Sequence, residues 1–127
     1  MENLHATDPR LEETHALIAS DRVEGTDVRN ANGDRIGEIA RLMINKRTGQ
    51  VAYAVMSFGG FLGIGEDFYP IPWQKLTYNP ELDAYEINDL DVTKLENAPR
   101  IAREGDYDWS RMEGRGIDDY YGVITPF

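Results

Sequence analysis

The sequence predicts an all-β fold, a small antiparallel barrel with one short helix and extended termini. Three observations carry this reading. Short apolar runs of strand length recur, turn signals separate them, and 12 glycines and 6 prolines punctuate 127 residues. An apolar fraction of 41% supports a folded domain and argues against global disorder. The expected organisation is a flexible leader (1–15), a barrel domain (16–98) and an acidic, aromatic-containing C-terminal extension (99–127).

The domain opens at Ala16-Leu17-Ile18, and Thr26–Arg29 reads as a short strand. Asn30-Ala31-Asn32-Gly33-Asp34 follows as a tight turn, since Asn and Gly both tolerate positive φ. Ile36–Asn45 is the next strand. Its apolar residues Ile36, Ile39, Leu42 and Ile44 switch face part-way, which a period of two forbids, so a bulge is expected near Glu38–Arg41. Lys46-Arg47-Thr48-Gly49 is a turn with Gly49 left-handed. Gln50–Phe58 is apolar on both faces and reads as a central, doubly covered strand. Asp67–Ile71 is another strand, and Pro72-Trp73-Gln74-Lys75 a single helical turn with proline at its opening. Leu76–Tyr78 and Ala84–Asn88 form a pair around Asn79–Asp83. Asp91–Asn97 makes a short helix capped near Asp89 or Asp91. Over residues 103–127 both periodicities fail, and the expectation is an extended tail whose aromatics pack on the barrel or on a neighbouring subunit.

Charge narrows the partners. Thirteen basic against 23 acidic residues give a net charge of −10. The leader and residues 103–127 carry −3 each, and residues 16–102 carry −4, so the ends are the more acidic per residue. No segment can neutralise a row of phosphates, which argues against direct nucleic-acid binding and against anionic lipid surfaces. A basic protein surface remains compatible with this charge as a partner. Without cysteine there are no disulfides, thiolate nucleophiles or cysteine zinc sites. No apolar run reaches membrane-spanning length and the N-terminus lacks signal-peptide character, so a cytoplasmic protein without membrane insertion is expected.

The run Gly25-Thr26-Asp27-Val28…Asn32-Gly33-Asp34-Arg35-Ile36-Gly37-Glu38-Ile39, with Leu42-Met43-Ile44-Asn45…Thr48-Gly49-Gln50-Val51-Ala52-Tyr53-Ala54-Val55, resembles the PRC-barrel family. The continuation Ser57–Gly65 and Tyr69-Pro70-Ile71-Pro72-Trp73 resembles its stand-alone bacterial members. The resemblance spans about residues 16–98. It implies a strongly bent antiparallel β-barrel that docks onto other proteins, as related domains do in the photosynthetic reaction centre H subunit and a ribosome maturation factor. It implies no shared catalytic motif.

Among candidate sites, the segment Phe58, Gly59, Gly60, Phe61, Leu62, Gly63, Ile64, Gly65 stands out. Its loop Gly59–Gly65 combines four glycines with three large apolar side chains, Phe61, Leu62 and Ile64, which reads as an interaction or self-association patch, or as a plug for the barrel end. It lacks the order of a phosphate-binding loop. Asn30–Asp34 fails as a calcium loop, because Val28 and Ile39 fall where acidic ligands are required. His5 and His15, the two histidines, lie in the leader and define no metal or catalytic site. Asp106, Asp108, Asp118 and Asp119 read as solvated charge before a cation site. Glu66 and Asp67 are expected as rim charges, because adjacent strand residues face opposite ways. Trp73, Tyr69, Tyr78 and Tyr85 read as core in preference to an aromatic ligand site. The expectation is a non-enzymatic, self-associating protein-interaction adaptor with no cofactor and an unknown protein partner. The alternatives are a small-ligand or metal-binding module, and an accessory factor in RNA or ribosome metabolism acting through a protein.

Overall fold

The computed structural model describes residues 16–58, 67–88, 98–100 and 111–125, with the side chains of 111–115 left aside. The elements are α1 (Ser20–Val23), β1 (Asp27–Arg29), β2 (Arg35–Ile44), β3 (Val51–Phe58), β4 (Asp67–Pro72), a 3-10 turn (Trp73–Lys75), β5 (Thr77–Asn79), β6 (Ala84–Glu86) and α2 (Arg111–Tyr121). The expected helix over Asp91–Asn97 lies outside the described residues.

Asn30 organises the β1–β2 turn, with Arg29 Nη1 also donating to the Gly33 carbonyl at 2.8 Å. Asn30 is buried, and its Oδ1 accepts from the backbone N–H of Asn32 at 2.9 Å and of Asp34 at 3.0 Å. Gly33 takes φ +88, whereas Asn32 stays at negative φ, so the turn needs only one of the two left-handed residues expected.

β2 carries the anticipated bulge. Ile39 faces Met56 and Arg41 faces Val55, leaving Ala40 as the extra residue. Ile36 and Ile39, three apart and both before that bulge, are both fully buried, and the β1–β2 register shifts at Ile36, between the Val28–Gly37 and Arg29–Arg35 pairs. Close packing with β3 also demands Gly37, where any Cβ would collide with the Ser57 carbonyl oxygen and press on Met56. β3 is buried without a break from Tyr53 to Ser57, as expected of a strand covered on both faces. At the β2–β3 turn Gly49 takes φ +81.

The six strands run in the order β4-β3-β2-β1-β6-β5. Two expectations are corrected. The sheet is mixed, because β6 pairs parallel to β1 through Val28–Tyr85 and Arg29–Glu86. Among the described residues it is also not closed: β4 and β5 are end strands, joined in sequence through the 3-10 turn and not hydrogen-bonded to each other. β4 tolerates Pro70 and Pro72 because an end strand has one side on which no ladder donor is needed. Both prolines are nevertheless fully buried, and α2 packs against β4.

α2 is the third correction, since an extended tail was expected there. Ile117 and Tyr121, four residues apart, are buried on one helical face with the core residues Val28, Ile36, Met56 and Ile71. The helix ends on Gly122 at φ +71. Val123 N–H returns to the Asp118 carbonyl at 3.0 Å and Gly122 N–H to the Asp119 carbonyl at 3.3 Å, a Schellman cap.

Candidate functional site

Three of the four singled-out aromatics converge where β4 gives way to β5. Pro72 is extended at φ −56 and ψ 132, and the chain then coils for one turn, with Leu76 N–H donating to the Trp73 carbonyl at 3.0 Å. That turn presents Trp73 beside the β5–β6 hairpin, whose register sets Tyr78 opposite Tyr85. Ring centroids lie 5.3 Å apart for Trp73–Tyr85 and 5.2 Å for Tyr78–Tyr85, both tilted. Tyr85 is buried, while Trp73 and Tyr78 are half-buried and expose a face.

These rings and Leu76 form one wall of an open groove of about 320 Å3, and Ala16, Leu17 and Ile18 form the other. Leu17 is 81% exposed at the rim. Trp73 also lines a smaller depression of about 100 Å3 with Val51, Ala52, Asn45 and Thr125. Among the described residues lining the main groove, the side-chain polar atoms are the Trp73 indole N–H and the Tyr78 and Tyr85 hydroxyls. The Tyr78 hydroxyl donates to Asp83 Oδ1 at 2.7 Å. Such a lining accepts apolar side chains and supplies no general base, nucleophile or metal ligand.

The other predicted residues scatter. Phe58 ends β3 half-buried, at the opposite end of the β3–β4 hairpin from Trp73, and Gly59–Gly65 lie outside the described residues. Tyr69 is core, and burial followed by the Asp67 carboxylate raises its phenol above the ordinary value of 10.0, with Arg100 acting in the opposite direction. Asp67 is half-exposed and pairs with Arg100 at 3.5 Å; Glu66 lies outside the described residues. His5, His15, Asp106 and Asp108 also lie outside them. Asp119 is exposed, as expected, but Asp118 is not the solvated charge anticipated. It is 8% exposed and accepts from Tyr53 Oη at 3.0 Å, Thr125 N at 2.8 Å and Thr125 Oγ1 at 2.9 Å, fastening α2 to β3. Among the described residues no three acidic or histidine side chains cluster as a metal site. Nor is any helix among them long and apolar enough to cross a membrane.

The described residues form a bent β domain with an aromatic groove where β4 gives way to β5. The family model for the PRC-barrel domain matches residues 16–93, and the chain belongs to that family. No curated protein matches the chain. Among solved structures it is similar to RimM of Pseudomonas aeruginosa, a protein assigned to 16S ribosomal RNA processing, at 18% identity and a TM-score of 0.37. That match covers 64% of this chain and 48% of RimM, so this chain corresponds to about half of that protein's length.

Proposed function

We propose that this PRC-barrel domain is a non-catalytic docking module, and that the Trp73–Tyr78–Tyr85 groove is where a protein partner sits. The observation that carries this is an aromatic wall, Trp73 and Tyr78 over the buried Tyr85, left half-open beside the exposed Leu17. Trp and Tyr are the residue types that most often dominate the energy of such contacts. The net charge of −10 opposes direct RNA contact, so any role in ribosome metabolism would run through a protein.

The sequence holds two tryptophans, so a Trp109→Phe chain reports from Trp73 alone. Peptides selected by display against the full chain should shift that emission and lose affinity at least about 10-fold on Leu76→Asp. Selected peptides that bind Leu76→Asp equally well would place docking elsewhere. Self-association through Gly59–Gly65 is a separate part of the proposal. Light scattering should show an oligomer that Phe61→Asp dissociates, and a strictly monomeric parent chain at high concentration would end that part.

A further inference from the structure

Resting on the docking reading, we infer that the groove takes an extended, basic peptide segment, which seats an apolar side chain between Trp73 and Leu17 and sets Lys or Arg against the acidic hairpin beside it. The apolar seat follows from the lining. The charge follows from the segments that build the walls. Residues 16–24 and 73–88 contribute Asp21, Glu24, Glu81, Asp83 and Glu86 against Arg22 and Lys75, five acids to two bases. One of these charges is fixed at the groove itself. Asp83 is exposed, and its carboxylate is held by the hydroxyl of Tyr78, a lining residue. Glu86 Oε2 accepts from Asn79 Nδ2 at 2.9 Å on the other face of the same hairpin, so it adds to the local negative field without lining the groove. Carboxylates anchored this way are already ordered when a cation arrives, which lowers the entropic cost of pairing.

The extended form follows from β5. Among the described residues it is an end strand, paired only with β6, and Tyr78 at its centre lines the groove. A peptide running along that edge can hydrogen-bond to the backbone while alternate side chains point into the groove. A second copy of this chain and an oligonucleotide both fit less well, because each brings negative charge to an acidic rim.

The test uses the full chain with Trp109→Phe and short alternating peptides in which Val and Leu are interleaved with Lys, Gln or Glu. The Lys peptide should shift Trp73 emission saturably. The Gln and Glu forms should bind about 5-fold and more than 10-fold weaker, and raising salt from about 50 to 500 mM should weaken the Lys form several-fold. Asp83→Asn with Glu81→Gln should weaken the Lys peptide about 3-fold or more and leave the Gln peptide unmoved. Asp83 sits at φ +51, a conformation Asn tolerates, and an Asn Oδ1 can still accept from Tyr78, so this variant keeps its fold. Circular dichroism checks that, and the peptide series alone decides the point if it does not hold. A Gln peptide binding as tightly as the Lys peptide overturns the basic-partner inference and leaves the docking reading standing. No peptide moving Trp73 removes both. An oligothymidylate that moves it in place of the peptides, or a dimer whose formation moves it, gives the groove to another occupant.

Discussion

The β2–β3 ladder and helix α2 are both buried, yet they are secured by different means. The ladder is antiparallel backbone pairing, broken by the bulge at Ala40 and a register shift between Met43 and Ile44, with contact distance set by Gly37, and β3 runs through the core. The helix has two glycines at positions 114 and 116, each costing about 1 kcal/mol against alanine, and rests on Ile117, Tyr121 and the Asp118 carboxylate. Backbone close approach permits no local adjustment, whereas a docked helix can detach while the sheet persists. The difference teaches that the family fold and its C-terminal attachment should fail separately.

Gly37→Ala should have the largest effect, because the obstructing atom is a backbone oxygen on the neighbouring strand that no rotamer change can move. The expected loss is about 3 kcal/mol, read by denaturant unfolding of the whole domain. A loss below about 0.5 kcal/mol would mean that the two strands separate easily. Asp118→Ala should cost about 2 kcal/mol by leaving the Tyr53 hydroxyl and the Thr125 N–H without this acceptor. Its signature is regional: hydrogen exchange should speed up over residues 117–123 with β3 still protected. Equal deprotection of β3 would show that helix and sheet form one cooperative unit.

Gly122→Ala places a side chain at φ +71 in the helix cap, where nothing crowds it, so backbone strain alone acts. About 1 kcal/mol is expected, again read in α2 exchange and not in β3. The smallest effect concerns pH. The Tyr69 phenol is raised above its ordinary value of 10.0, so the folded state favours its neutral form. That contribution is fully present below pH 10.0 and is lost as pH rises through the folded value. The stability difference between the parent and Tyr69→Phe should therefore be flat below pH 10.0 and shift against the parent above it. A flat difference through pH 11 would mean that burial does not disfavour the phenolate.

The local features were legible because they are written in short patterns. The break in period between Ile36 and Leu42 placed a bulge within Glu38–Arg41, where the structure has it at Ala40, and the two-faced run at Val51–Met56 identified the central strand. The glycine at 49 marked its turn. Helix α2 was hidden because Gly114 and Gly116 suppress the local signal. The spacing of Ile117 and Tyr121, followed by Gly122 and Val123, was the cue that could have revealed it. Asp118 looked like part of an acidic cluster because spacing cannot show which charge will meet Tyr53, 65 residues away in sequence.

The groove has the same history. Trp73, Tyr78 and Tyr85 could be named as a set, but whether they fill the core or line a surface depends on how far the 3-10 turn carries the indole and on where residues 16–18 pass. Sequence alone determined the strands, the turns, the bulge, the acidic balance and the family, since each rests on residues close in the chain or on composition. Tertiary structure decided the parallel β1–β6 pair, the open sheet ends, the docked helix and the half-exposed aromatic wall. Those depend on which distant segments meet, and a strand's side-chain pattern is the same whichever neighbour it pairs with and in whichever direction.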